Sequence, residues 1–271
     1  MGDTAYLDQG QGFPVVLIHG VGLDHRMWRF QMPALAKHFR VIAYDLLGHG
    51  ASAKPAGPYS LSMYADQCRD LLAGLGVDRA GIVGFSLGGL IAQAFCVEHP
   101  QFVAAAAILG CSFQRTRRER ALILERVRMV EKDGPSSTLS LAIERWFSPE
   151  FAARNAELMR EIADCLLSND RDAYLAAYKL VAAADTELAD RIDTIACPTL
   201  VMTGSEDRGN SPGMAMRIAE QIPGARHLIL PGLRHMGMVE DPDAVNTPLM
   251  DFLSESLQQA TDRKSRASAM A

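Results

Sequence analysis

The chain has 271 residues, 48% of them hydrophobic and 22% charged, with a formal net charge of −5. That is enough chain to bury the core of one large domain, or of a domain carrying an insertion. The acidic balance excludes a broad electrostatic footprint for nucleic acid, and no apolar run approaches the roughly 20 residues that span a bilayer.

The five cysteines, Cys68, Cys96, Cys111, Cys165 and Cys197, follow neither CxxC nor metal-ligand spacing. Such a pattern fits reduced thiols, and a cytoplasmic location is expected. The opening MGDTAYLDQGQG lacks the basic and apolar blocks of a secretory signal. Tyr6 stands where a myristoylation site wants Ser or Thr. The basic cluster Arg115, Arg117, Arg118 and Arg120 is diluted by Glu119, Glu125 and Glu131 and reads as a solvated helix face.

In chain order, PVVLI (14–18) is a β-branched run ending at His19-Gly20, a strand followed by a turn. HRMWRFQMPALAKH (25–38) has helical apolar spacing, with Pro33 marking a boundary. FRVIAYD (39–45) is a second strand, closed by the glycines of LLGHGAS. A helix over 61–75 ends at Gly76; the strand AGIVGF (80–85) runs into a helix from Ser86 to His99, stopped by Pro100. FVAAAAILG (102–110) is the next strand. The alternation then stops, and 113–195 offers only helical segments at 115–132, 137–146, 152–167 and 171–184. It resumes with PTLVMTG (198–204), a helix near 213–221, ARHLILPG (225–232) and a helix over 242–257.

Strands alternating with helices imply a mostly parallel α/β sheet covered on both faces, with right-handed crossovers. The all-helical block is expected to be a cap inserted over one rim. Residues 1–112 and 196–258 would form the core, 113–195 the cap, and 259–271 a polar, disordered tail. Ligands in such sheets lie outside the carboxyl ends of the strands. The turns at His19-Gly20, Asp45, Ser86 and Gly110 should therefore share a rim.

On that rim, Gly84-Phe85-Ser86-Leu87-Gly88 is a G-x-S-x-G placed between a strand and a helix. A serine lifted by so tight a turn is exposed to a ligand, whereas the alternative is a glycine-rich turn with a bystander serine. Its hydroxyl needs a base. Of the seven histidines (His19, His25, His38, His49, His99, His227 and His235), His235 alone follows the last strand's carboxyl end in a loop free to reach Ser86. His38 and His99 lie at far helix ends and His227 lies within a strand. His19 and His49 suit the bracing of loops. The base needs an acidic partner. TGSEDRGNSP offers Glu206 and Asp207 after a strand, and Asp207 is the choice, with Glu206 facing solvent. Asp45 reads as a turn-forming residue. Two donors are needed for a developing oxyanion, and the amides of Leu87 and Val21 (between Gly20 and Gly22) are placed to supply them.

Together VVLIHGVG, YDLLGHGAS, GFSLGG, TGSED and LRHMGMVEDPDAV resemble the α/β-hydrolase fold superfamily over nearly the whole chain. HGVGLDHRMW, RVIAYDLLGHGAS and ERWFSPEFAARN look most like 3-oxoadipate enol-lactonases and related esterases. Two departures stand out. Leu46-Leu47 replaces the usual Thr-Arg-like pair, and the usual first strand is missing or cut short before AYLDQGQG.

The resemblance implies a serine hydrolase of small carboxylic esters or lactones, an enol-lactone of aromatic catabolism among them, with no metal or cofactor. Its partners would be small molecules rather than nucleic acid or membrane. The same fold hosts C–C bond hydrolases, cofactor-free haloperoxidases (perhydrolases) and dioxygenases, as well as non-catalytic binding proteins. Trp28, Phe85, Trp146 and Phe147 are candidates for an apolar pocket wall. Arg145 or Arg26 is a candidate for a substrate carboxylate.

Overall fold

The structure, a computed structural model, describes the backbone of residues 4–269 and the side chains through residue 258. Apolar, β-branched runs build one sheet of seven strands in the order β1-β3-β2-β4-β5-β6-β7. They are β1 (Tyr6–Gln9), β2 (Pro14–Ile18), β3 (Arg40–Tyr44), β4 (Ala80–Phe85), β5 (Val103–Leu109), β6 (Thr199–Gly204) and β7 (Arg226–Leu230). Every pair is parallel except β1 with β3, which is antiparallel, with Tyr6 opposite Tyr44. The central strands β4 and β5 are buried at every position, as parallel strands covered on both faces must be. Strand β1 escapes the sequence reading because its four side chains are all exposed, and its backbone pairing leaves no apolar alternation to see.

The helices before the cap are α1 (Met32–Leu35), α2 (Leu61–Gly74) and α3 (Leu87–Glu98). Between β5 and β6 come α4 (Arg117–Asp133), α5 (Leu139–Trp146), α6 (Pro149–Arg154), α7 (Ala156–Leu167) and α8 (Arg171–Ala183), with no strand among them. The chain closes with α9 (Pro212–Gln221), α10 (Gly237–Glu240) and α11 (Pro242–Ala269). Period two along β4 separates the two faces. A Cβ at Gly81 would meet Leu253 and Leu257 of α11, and one at Gly84 would meet Gly88 and Ala92 of α3.

The single helix expected over 25–38 is instead a 3-10 turn, His25–Trp28, and the one-turn α1 with Pro33 in its first turn. Helix α11 continues past residue 258. The expectation of a disordered tail at 259–271 concerns residues whose side chains lie outside the described set. Among the described residues no helix is long and apolar enough to cross a membrane.

The cap is fastened at its neck. Thr116 and Glu119 form a capping box at the start of α4. Buried Asp185, just after α8, accepts from the Arg115 amide at 2.6 Å and from the Arg115 and Arg120 guanidinium groups, each at 3.2 Å. Gln114 N–H also donates to the Asp185 carbonyl. The basic cluster therefore splits. Arg117 and Arg118 face solvent as read from the sequence, while Arg115 is buried against Asp185.

A second polar knot ties the loop after β2 to the loop after β3. Asp45 accepts from the His25 ring at 2.6 Å, the His25 amide at 2.9 Å and the Ala51 amide at 2.8 Å. Burial pushes the Asp45 carboxyl up, but the His25 and Ala51 hydrogen bonds overcome it and hold the group down at about 2. A carboxyl whose folded value lies below its ordinary 3.8 gives stability that is full above that pH and fades as pH falls toward 2. Asp45→Asn is therefore expected to weaken the fold at pH 7 by roughly 1–3 kcal/mol and to flatten the loss below pH 4. Urea unfolding of both proteins from pH 7 to pH 2.5 measures this, and parallel profiles would refute it.

Candidate active site

Strand β4 ends at Phe85 and α3 begins at Leu87, so Ser86 alone makes the turn, with φ 55 and ψ −111. A non-glycine residue held there costs on the order of 1–3 kcal/mol and persists only where its surroundings over-determine it. They do so here. Ser86 N–H donates to Leu109 O on β5 at 2.9 Å, and Ser86 C=O accepts from the Gly89 and Leu90 amides. The approach of helix to strand needs bare backbone at two places. A Cβ on Gly84 would lie 2.0 Å from Gly88 O, and one on Gly88 would lie 2.1 Å from Ile18 O.

His235 sits in the loop between β7 and α10. Its Nδ1 lies 2.6 Å from Asp207 Oδ2, with both side chains buried. The other carboxylate oxygen of Asp207 accepts from the Gly209 and Asn210 amides, each at 2.9 Å. Burial works to raise the Asp207 carboxyl; the His235 charge and hydrogen bond, with the two amides, outweigh it and lower it below the ordinary value. The carboxylate thus stays ionised and fixes the ring, with Nδ1–H as donor and Nε2 free to face a proton. Glu206 is exposed, as expected. Phe85 and Trp146 pack on the imidazole, with ring centroids at 4.7 and 6.3 Å.

Ser86 and His235 line one cavity of about 40 Å³ beneath the cap. Val21, Phe85, Arg145 and Trp146 of the expected residues line it too. Leu87 is buried at the first position of α3, where an amide has no intrahelical acceptor. Trp28 does not reach the cavity; it is fully buried in the core. Phe147 likewise packs away, stacked on Phe151. Arg26 is bound bidentately to Asp24 and faces a separate cavity of about 410 Å³. That cavity, and one of about 670 Å³ beside Cys96 and Cys197, are larger, but neither contains Ser86 or His235.

The sequence reading missed Arg115, Arg126, Tyr174, Tyr178 and Asn210, all on the cavity wall. The i,i+4 pair Tyr174 and Tyr178 on an otherwise apolar helix face was the available signal. Two other histidines brace loops. His19 donates from Nδ1 to Gly20 O at 2.8 Å and accepts at Nε2 from the Leu46 amide at 2.9 Å. His49 stays neutral, pulled down to about 3 by burial first and then by the nearby His19. Asp24, His25 and Asp45 bring ligand-type atoms within 4.8 Å of one another, but Arg26 and His25 already occupy the carboxylates.

The sequence profile of the Alpha/beta hydrolase family matches residues 15–247. The chain belongs to that family. Within the α/β hydrolases it is similar to (E)-2-((N-methylformamido)methylene)succinate hydrolase of Acinetobacter baylyi, at 29% identity over 92% of this chain and 93% of the relative. It is similar also to 3-oxoadipate enol-lactonase 2 of the same species, at 25% identity over 86% and 85% of the two chains. Among solved structures, the enol-lactonase from Burkholderia xenovorans LB400 superposes with a TM-score of 0.87 at 29% identity, covering 93% of this chain and 96% of that one. Each of these three relatives of this α/β hydrolase is named as a hydrolase or an enol-lactonase. Its His235 loop is stitched to cap helix α5. Met236 N–H donates to Trp146 O, and Arg234 donates to Glu144 O and Phe147 O.

Proposed function

We propose that the protein hydrolyses a small carboxylic ester or lactone through an acyl-enzyme on Ser86. The observation that carries this reading is the Asp207–His235 hydrogen bond opening onto the same cavity as a serine held at positive φ. His235 Nε2 takes the Ser86 proton, and Oγ attacks the carbonyl carbon. The Val21 and Leu87 amides hold the oxyanion, and His235 returns the proton to the leaving oxygen. Water, activated by the same imidazole, then releases the acid. Asp207 orients the ring and stabilises its cationic form. No hydrogen bond ties Ser86 Oγ among the described residues, as is common before substrate tightens a site.

Phe85 and Trp146 would form the apolar wall, and Arg145 would meet a polar end of the substrate. Similarity to enol-lactonases favours an enol-lactone of aromatic breakdown, and the free cysteines favour a cytoplasmic enzyme. Ligand pockets commonly enclose about 300–1,000 Å³, so the cap helices must part for substrate to enter.

Labelling with a fluorophosphonate probe is the direct test. Ser86 should be modified stoichiometrically, and a panel of lactones, aryl esters and methyl esters should be turned over without added cofactor. An unlabelled Ser86 in folded protein would refute the reading. Bromide- and peroxide-dependent halogenation exceeding ester hydrolysis would redirect it.

A further inference from the structure

Two cations on the cavity wall have no anion. Arg126 on α4 and Arg145 on α5 both line the cavity that holds Ser86. The Nε of each is buried without a hydrogen-bond partner. Among the described residues neither guanidinium meets a carboxylate or a carbonyl, whereas Arg26, Arg29, Arg40 and Arg69 each have one. Nor can the neighbouring acid serve. Asp185 is already divided between Arg115 and Arg120.

Burial, and then the charge of Arg145, pull the Arg126 guanidinium down to about 10, so the two groups sense each other across the cavity. A half-buried, unpaired guanidinium with its Nε out of water is costly, and two together more so. The planar fork of arginine matches a carboxylate bidentately. An anion brought in with the ligand would complete the wall.

We propose that Arg126 and Arg145 clamp a carboxylate of the substrate, which is an ester or lactone whose hydrolysis yields a dicarboxylate. The inference rests on the acyl-enzyme reading and deepens it by naming the substrate class. Attack by Ser86 would fall on the second, esterified carboxyl group while the free one is held by the cap. Closing the cap would then assemble binding and chemistry together, because α5 carries both Arg145 and the contacts to the His235 loop.

Calorimetric titration with glutarate, a short dicarboxylate standing for the product, tests the clamp without turnover. Arg126→Met and Arg145→Met should each weaken glutarate binding by about 10- to 100-fold, the usual effect of losing a hydrogen bond to a charged group. Arg118→Met, which removes the same charge from an exposed position on α4, should bind like the parent. Should the clamp variants fail to fold, the unmodified protein still decides. Its kcat/KM for 4-nitrophenyl hemiglutarate should exceed that for 4-nitrophenyl butyrate about tenfold or more, and that ratio should fall with salt.

Equal glutarate binding in parent and clamp variants, or equal use of the two esters, overturns the clamp. Fluorophosphonate labelling separates the two readings. A labelled Ser86 with no dicarboxylate discrimination removes the clamp and leaves the hydrolase. Glutarate held by both arginines beside an unlabelled Ser86 leaves the anion site and removes the hydrolase.

Discussion

Ser86→Ala is expected to lower kcat for an activated ester by about 10⁴- to 10⁶-fold. Without Oγ no acyl-enzyme forms, and what remains comes from oxyanion donors and substrate positioning. His235→Ala should cost about as much, and the double variant little more, because the two act as one unit. Asp207→Asn should also cost on the order of 10⁴-fold, by favouring the wrong imidazole tautomer. Near-parental turnover in Ser86→Ala would end the assignment. A companion measurement reads the backbone instead of the chemistry. Ser86→Gly also lacks the nucleophile but relieves the positive φ, so it should be more stable than the parent by roughly 1–2 kcal/mol. That corresponds to about 2–4 °C in Tm for a domain of this size. A gain in Tm with activity lost would mark the turn as strained for function.

The second large effect concerns Gly84 and Gly88. Their added Cβ atoms would meet backbone, of α3 at 2.0 Å and of β2 at 2.1 Å, and neither packed backbone can step aside. Gly84→Ala and Gly88→Ala are each expected to destabilise by roughly 3 kcal/mol or more. The parts that remain folded should label poorly at Ser86, because α3 shifts away from the His19–Val21 loop. Gly89→Ala is the informative contrast. Its Cβ would meet Cys111 Cβ at 2.9 Å and Sγ at 3.0 Å, with Gly84 O no nearer than 3.4 Å, so Sγ can swing away and the Cys111 backbone has to give by only a few tenths of an ångström. Denaturant midpoints should therefore rank Gly89→Ala well above the other two. Equal loss at all three positions would refute the distinction between an overlap at about 2 Å and one at 2.9 Å.

The core strands were legible because burial on both faces forces near-continuous apolar runs. PVVLI and AGIVGF match β2 and β4 residue for residue. That Ser86, Asp207 and His235 come together was legible for a related reason. Each follows a strand's carboxyl end, and a parallel sheet brings those ends to one rim. Strand β1 and the one-turn helices α1 and α10 were not, since backbone pairing and single turns leave no periodicity. Side-chain direction across the cap was the harder loss. Arg115 and Arg126 belong to a charge-rich stretch whose pattern cannot say which arginines turn inward; Asp185 draws in the first, and packing of α4 against α8 selects the second. Trp28 misled in the opposite sense. An aromatic near the rim in sequence proved to be core, because the 3-10 turn points it beneath the loop.

The Asp185 clasp bears on how such a chain can change over generations. The cap leaves from β5 and returns to β6, neighbouring strands of the sheet, and its two ends are buttoned together by one buried carboxylate. Everything between those ends can lengthen, shorten or be exchanged without rethreading a strand or disturbing the turn at Ser86. On the proposed reading, the sheet half would break bonds and the exchangeable helical half would choose which bonds arrive.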